Sequence, residues 1–375
     1  MKIKDITFII IFISAILSCT GTGKLSDQED GDTVSLKYAQ LVNAVKYNDY
    51  TIIDIKNPWH EGKNLRRYVL VPASKKLPAS LPDDGIIIRT PVKRTLITTS
   101  VHCSLLKELQ RENTIAGVCD IQYINLPWIK EWHKEGKIKD CGSTLSPTIE
   151  NIIEMNPDAI LLSPFQNNGG YGRVESLGVP IIEAADYMET SALGRAEWMK
   201  IYGMFWETEN IADTLFANVE KEYHRLKDIA AKQTNNPSIM LDTQTGSVWY
   251  VPGGSSTIGK VIADAGIRYA YSNVNKNGSL ALSYEKVLDS FSEADIWMLK
   301  YNSPYDMTLS SLAAENYGCN NFNAYKKGNV YACNTAVSTY YEETPFHPER
   351  LLKEHIIIAF PHLNLGDTKY FKKLK

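Results

Sequence analysis

The sequence predicts an α/β protein of two lobes joined by a single long backbone helix. Two observations predict it. Short apolar runs alternate with helical patterns along most of the chain, and that rhythm starts twice, near residue 93 and again near residue 238. Between the two starts, residues 207–232 contain no Gly or Pro. Alternating strands and helices indicate βαβ units and therefore a parallel sheet in each half.

In the first lobe, residues 94–99 (RTLITT) read as a strand and 101–111 as a helix, with Ser100 placed to cap it. Strands are expected at 114–118, 158–162 and 179–182, a helix at 149–155 and a short one at 174–177. Within 207–232, Ile211, Leu215, Phe216, Val219, Tyr223, Leu226, Ile229 and Ala230 form one apolar stripe. At about 1.5 Å per residue this helix would run roughly 40 Å, long enough to bridge two lobes. No second heptad-bearing segment offers it a coiled-coil partner.

The second lobe repeats the pattern. A strand at 238–242 and a helix at 258–265 are followed by strands near Tyr269, at 295–299 and at 329–332, and a helix at 348–360 closes the chain. Residues 145–161 (LSPTIENIIEMNPDAIL) and 282–298 (LSYEKVLDSFSEADIWM) form a weak internal repeat, so the lobes are expected to be similar folds facing each other. Upstream, 50–55 and 68–71 read as strands of an extension, a hairpin packed on the edge of the first lobe.

The N-terminus reads as an address. Lys2 and Lys4 precede an apolar run over 8–17 that only Ser14 interrupts. That run is too short for a bilayer span of about twenty residues. Leu17-Ser18-Cys19, with Ala15 upstream, resembles a bacterial lipobox. Residues 1–18 are therefore expected to be a lipoprotein signal peptide, and Cys19 the lipidated mature N-terminus; an ordinary signal peptide with a chance cysteine is the alternative. The resulting division is signal peptide 1–18, flexible tether 19–34, β-rich extension 35–88, N-terminal lobe 89–189, helical linker and backbone helix 190–232, and C-terminal lobe 233–375. The expected location is the periplasm of a Gram-negative cell envelope, with Cys19 holding the chain to a membrane.

Forty Lys and Arg against 43 Asp and Glu give a net charge of −3, which leaves no electrostatic footprint for nucleic acid. Export would place Cys103, Cys119, Cys141, Cys319 and Cys333 in an oxidising compartment. Cys119–Cys141 and Cys319–Cys333 are the expected disulfides, with Cys103 a small buried thiol in a helix. There is no C-x-x-C, and no His pair or acidic residue completes a metal-ligand spacing, so no bound metal or cofactor is expected.

Gly254-Ser-Ser-Thr-Ile-Gly259-Lys260-Val261 imitates a phosphate loop but has Val261 where a magnesium-binding Ser or Thr is needed. A tight turn capped by Ser255 or Ser256 suits it better. No G-x-S-x-G elbow is present, so no catalysis is expected. His102 follows the first strand at a helix start, where open α/β sheets bind ligands; it either contacts the cleft or is simply packed. Aromatic residues recur at the predicted strand-to-helix loops: Tyr123, Trp128, Phe165, Tyr187, Trp249, Tyr250 and Tyr301. Each serves either core packing or a bulky, flat ligand, and their placement together favours a cleft.

Four stretches, 89–110 (RTPVKRTLITTSVHCSLLKELQ), 148–162, 193–206 (LGRAEWMKIYGMFW) and 246–266 (GSVWYVPGGSSTIGKVIADAG), resemble the substrate-binding components of ABC transporters. The similarity is to the helical-backbone class that delivers iron–siderophore, haem or cobalamin, and residues 347–363 are similar to its closing helix. The resemblance implies two Rossmann-like lobes on one spine, with the ligand, a metal chelate or corrinoid, held between them. It also implies a monomer that delivers this ligand to a permease dimer with its ATPase subunits. It further implies that one surface glutamate on each lobe docks onto permease arginines; Glu150 and Glu285 occupy those positions, although a first-turn glutamate also suits a helix dipole. Arg195 and Glu197 match the same pattern, Arg195 either contacting an anionic ligand or pairing with a carboxylate. A capture lipoprotein serving an outer-membrane receptor and a secreted α/β enzyme are the alternatives.

Overall fold

The structure is a computed structural model that describes residues 31–166 and 170–375. Lys2, Lys4, the apolar run and Cys19 lie outside the described residues. No helix among the described residues is long and apolar enough to cross a membrane.

The chain opens with a five-stranded sheet in sequential order, β1 (Asp32–Thr33), β2 (Val42–Lys46), β3 (Thr51–Lys56), β4 (Asn64–Pro72) and β5 (Ile86–Thr90). The first four pair antiparallel and β5 joins β4 in parallel. The extension is thus a complete sheet rather than a hairpin. The Tyr68 hydroxyl of β4 accepts from the Glu183 N–H and donates to the Ile181 carbonyl, at 2.8 and 3.0 Å. This fastens the sheet to the outer strand of the first lobe and covers a sheet edge that would otherwise be open.

The first lobe contains β6 (Thr95–Ile97), α1 (Ser100–Glu108), β7 (Ile115–Val118), α2 (Pro127–Lys134), β8 (Lys139–Asp140), the short ribbon β9 (Gly142–Ser143) and β10 (Ser146–Pro147), α3 (Ile149–Met155), β11 (Ala159–Leu162) and β12 (Ile181–Glu183). Its parallel sheet has the order β12-β11-β6-β7-β8. Its central strands, AILL and IAGV, are buried at every position, as a sheet covered on both faces requires. Helix α1 starts at Ser100, so the capping position falls to Thr99, one residue earlier than expected. Thr99 makes no side-chain cap there; its hydroxyl pairs with His102 instead.

Two helices link the lobes, α4 (Ala192–Phe205) and α5 (Glu209–Ala231). Helix α5 is the predicted spine, 23 residues long, burying Phe216, Val219, Tyr223, Leu226 and Ala230 of the expected stripe. At about 1.5 Å per residue it spans roughly 35 Å. Helix α4 is buried on nearly every face, with Trp198, Tyr202 and Phe205 among the largest enclosed side chains.

The second lobe comprises β13 (Ser238–Leu241), β14 (Gln244–Thr245), β15 (Val248–Pro252), α6 (Thr257–Asp264), β16 (Arg268–Tyr269), β17 (Ser279–Leu282), α7 (Tyr284–Phe291), β18 (Ile296–Tyr301), α8 (Leu309–Glu315), α9 (Asn323–Lys326), β19 (Val330–Asn334), α10 (Tyr340–Glu343), α11 (Pro348–Ala359) and β20 (Lys372–Lys373). Its main sheet runs β16-β13-β18-β19-β20, with only β20 antiparallel, and β14-β15-β17 form a separate antiparallel sheet. Numbered within each lobe, the first sheet reads 3-2-1-4-5 from β8 and the second reads 2-1-3-4-5 from β16. The internal repeat therefore reflects one shared strand–helix unit, α3 with β11 and α7 with β18, on two different strand orders. In each sheet the order reverses beside its first strand, and a ligand crevice belongs at that point, beyond the carboxyl ends.

The expected disulfides are absent. Cys103, Cys119, Cys141, Cys319 and Cys333 are all free and buried. Cys119 and Cys141 follow directly on the paired rungs Val118 and Asp140 of β7 and β8, so they are neighbours within one apolar cluster without being bonded. Cys319 Sγ instead points at the Asn316 carbonyl, 3.1 Å away.

Candidate functional site

The second lobe's reversal lies between β13 and β18, and a cavity of about 420 Å³ opens there. Leu241 and Asp242 reach it from the end of β13, and Met298 and Lys300 from β18. Tyr187, from the connection after β12 in the first lobe, and Arg195, from the first turns of the linking helix α4, wall it on the opposite side. Tyr250 of β15 and His355 of α11 also line it, with the polar side chains of Ser256, Thr257, Asn277, Ser279 and Tyr340.

Both cations in the cavity are paired. Arg195 Nε lies 2.9 Å from Asp186 Oδ2, and Lys300 Nζ lies 2.6 Å from Asp242 Oδ1. Asp242 sits in the left-handed region (φ 56°), which an Asp tolerates; it ends β13 and turns its carboxylate toward β18. Burial alone would lower the Lys300 pKa, but the adjacent Asp242 carboxylate raises it above its ordinary value, so the ammonium stays charged. His355 behaves oppositely: burial pushes it down to about 4, leaving a neutral ring whose Nδ1 is 2.8 Å from the Leu351 carbonyl.

Asp186 is almost fully enclosed. Burial alone would raise its pKa, yet His102 and Arg195 hold it down to about 2. His102 Nε2 lies 3.1 Å from Asp186 Oδ1, and the Tyr202 hydroxyl donates to the same oxygen at 2.7 Å. His102 is therefore a packed histidine beneath the cleft and not a ligand contact, only 2% of its surface being exposed. Its place at a helix start is real, but α1 turns that face onto α4.

The other sequence-derived candidates separate clearly. Tyr187, Arg195 and Tyr250 come together in the cavity. Trp249 does not: period-two alternation in β15 exposes Tyr250 and buries Trp249, whose indole donates to the Leu241 carbonyl and packs on Trp297 and Phe322. Trp128 packs edge-on against Trp132, with Lys107 over its ring. Tyr123 stands exposed on the turn before α2. Phe165 lines a separate hollow of about 380 Å³ at the first lobe's reversal, with Thr98, Leu145 and Leu162. Tyr301 borders another of about 570 Å³, alongside Asn334 and Lys372.

Asp242, Lys300 and His355 were missed by sequence reasoning. For the first two a signal existed, since each closes or immediately follows a predicted strand at its carboxyl end. Glu150 and Glu285 are both exposed, in the first turns of α3 and α7, and Glu150 lies 3.5 Å from the equally exposed Arg173. The phosphate-loop mimic is a packed turn: Ser256 caps α6 by accepting from the Gly259 N–H, and Lys260 reaches the Thr190 carbonyl. A Cβ on Gly254 would meet the Ser272 carbonyl oxygen at 2.1 Å, so close backbone approach is what requires glycine there. Among the described residues no group of three or more His, Cys, Asp or Glu could hold a metal ion.

The two lobes also touch beside the cavity. The Asn125 side-chain amide donates to the Thr335 and Ser338 carbonyls at 2.8 and 3.0 Å, and its backbone N–H to Glu342.

Known proteins are similar to this chain in sequence or in fold. An uncharacterised lipoprotein of Methanocaldococcus jannaschii is 25% identical over 337 residues, covering 83% of this chain and 78% of the relative. Two solved structures share the fold. A periplasmic haem-binding protein from Pseudomonas aeruginosa aligns with a TM-score of 0.58 at 14% identity, covering 76% of this chain and 98% of its own. An Fe3+-hydroxamate transport-system protein from Saccharomonospora viridis gives 0.53 at 16% identity, covering 72% and 93%. The family model described as periplasmic binding protein matches residues 105–336, which run from α1 to just past β19 and supply most of the cavity's walls, and the chain belongs to that family.

Proposed function

We propose that this protein is the solute receptor of an ABC importer. It captures a metal chelate (a ferric siderophore, haem or a corrinoid) in the interlobe cavity and releases it to a permease dimer driven by ATPase subunits. The observation that carries this reading is the cavity itself, built at a sheet's reversal point in one lobe and walled by Tyr187 of the other and by Arg195 of the linking helix α4. A ligand there touches both halves of the molecule at once, as a carrier recognised by its loaded state needs. The haem and Fe3+-hydroxamate proteins that share the fold support the ligand class. The family offers no catalytic role, and Ser256, the cavity's buried serine, is committed to the Gly253 carbonyl and the α6 cap.

Lipidation at Cys19 would hold the receptor to a membrane of the cell envelope, in keeping with the archaeal relative named a lipoprotein. Glu150 and Glu285, one on each lobe, would dock on the permease. The chain works as a monomer in this reading.

Quenching of the protein's seven tryptophans on titration with a ferric siderophore, haem and cobalamin tests the proposal. Saturable binding of at least one, at micromolar dissociation constant or tighter, is expected. No binding of any of the three would overturn it.

A further inference from the structure

We propose that the cavity selects metal chelates that carry no net charge, of the ferric trihydroxamate kind, over polyanionic chelates such as ferric tricatecholates. This rests on the receptor reading above and narrows its ligand.

The charges at the site cancel. Arg195, Asp242 and Lys300 are the charged residues lining the cavity. Lys300 is neutralised by Asp242 within the cavity, and Arg195 by Asp186 directly behind it. His355 adds nothing at neutral pH, because burial holds it uncharged. A trianion would therefore enter a site with no charge to spare.

Freeing a cation for it is costly. Asp186 cannot withdraw from Arg195, since the same carboxylate also satisfies buried His102 and the buried Tyr202 hydroxyl. Moving it would strip both buried groups of their carboxylate partner and leave them only the 3.1 Å contact between His102 Nε2 and the Tyr202 hydroxyl. Separating Lys300 from Asp242 would leave an unpaired carboxylate facing the incoming anion.

A neutral chelate keeps both pairs intact. It meets hydrogen-bonding groups from Tyr250, Asn277 and Ser279, together with the N–H bonds that Arg195 and Lys300 do not use on their carboxylates, while the Tyr187 and Thr257 hydroxyls, already donating to the Pro164 and Glu189 carbonyls, offer lone pairs. Those donors suit the carbonyl and hydroxamate oxygens of an uncharged complex, and Met298 and Phe371 suit its hydrocarbon.

The test is a tryptophan-quenching competition at pH 7 with the intact chain. The probes are a neutral cyclic ferric trihydroxamate peptide and a ferric tricatecholate of charge −3, with haem and cyanocobalamin as further arms. The neutral trihydroxamate is expected to bind about 100-fold tighter than the tricatecholate, with an affinity nearly independent of salt. Asp242→Asn, which strips Lys300 of its partner, should erode that preference about tenfold or more; the double variant D242N/K300M, neutral again, should restore it. Tricatecholate or haem binding as tightly as the trihydroxamate overturns the charge rule while leaving the receptor reading intact. Failure of all four probes overturns both. Should D242N not fold, the wild-type competition decides alone.

Discussion

Glu108, the last residue of α1, and His347, the residue before α11, lie 2.6 Å apart and join the first lobe to the closing helix outside the cavity. The other ring nitrogen of His347 is 2.9 Å from Glu349. Burial alone would lower the histidine's pKa, but hydrogen bonds to the two carboxylates raise it to about 9 from an ordinary 6.5. The contribution to stability is complete below the unfolded value and fades as pH rises through the folded one. The melting temperature should therefore fall between pH 6.5 and 9. The full effect is at most about 3 kcal/mol. His347→Gln should melt lower at pH 6 and lose the slope over that window. A variant that keeps the wild-type slope would show that another group is titrating.

A second pair of carboxylates fixes the segment 37–41, just before β2. Glu197 of α4 accepts from the consecutive backbone N–H groups of Lys37, Tyr38 and Ala39 at 2.7–2.9 Å. Glu189 accepts from Gln40 and Leu41 and from the Trp198 indole. Five successive N–H groups are thus satisfied by two buried side chains, a nest that depends on both carboxylates being present. Glu197→Ala should destabilise the protein by about 1–3 kcal/mol, since it leaves three partly buried backbone donors without their carboxylate. It should also expose the segment before β2 to protease, while chelate affinity, set elsewhere, changes less than about twofold. Urea melts with limited proteolysis would check this; an unaltered cleavage pattern would refute the clamp.

The limits of legibility follow from the same residues. Strands and helices were readable because apolar periodicity is local: 149–155 was placed to the residue, and most other elements within one or two. The stripe on α5 was visible for the same reason. What sequence could not supply was facing. His102 and Trp249 occupy the loops and strands where ligand contacts belong, but α4 covers one and strand alternation buries the other. Strand order was equally hidden, because two sheets with different orders present the same rhythm along the chain. Asp242 and Lys300 become a pair only when β13 and β18 lie side by side.

The cysteines give a third test. Burial raises the thiol pKa of Cys119 to about 12 and those of Cys141 and Cys319 to about 11, so little reactive thiolate exists at neutral pH. A chain begun after Cys19 should react slowly with a thiol reagent when native. Denatured without reductant, it should release all five thiols. Recovery of three would mean that one pair is oxidised. The Cys119–Cys141 pair, whose members directly follow the paired residues Val118 and Asp140, would then be the one to examine by peptide mapping.

The proposed docking role of Glu150 and Glu285 separates ligand capture from delivery. Glu150 and Glu285 stand in corresponding first turns, on different lobes and far into solvent, and neither lines the interlobe cavity. Replacing both by arginine adds charge where nothing is buried, so fold stability should change by less than about 1 kcal/mol. Chelate affinity should be unchanged for the same reason. Glu150→Arg also places like charge beside Arg173, which should reorient that side chain without disturbing α3. Transport should fail, because opposite charges that steer a receptor onto its permease become repulsive when one set is reversed. Uptake of labelled chelate, measured alongside the binding titration, distinguishes the cases. Full affinity with abolished uptake is the expected outcome, and full affinity with normal uptake would remove both glutamates from the docking surface.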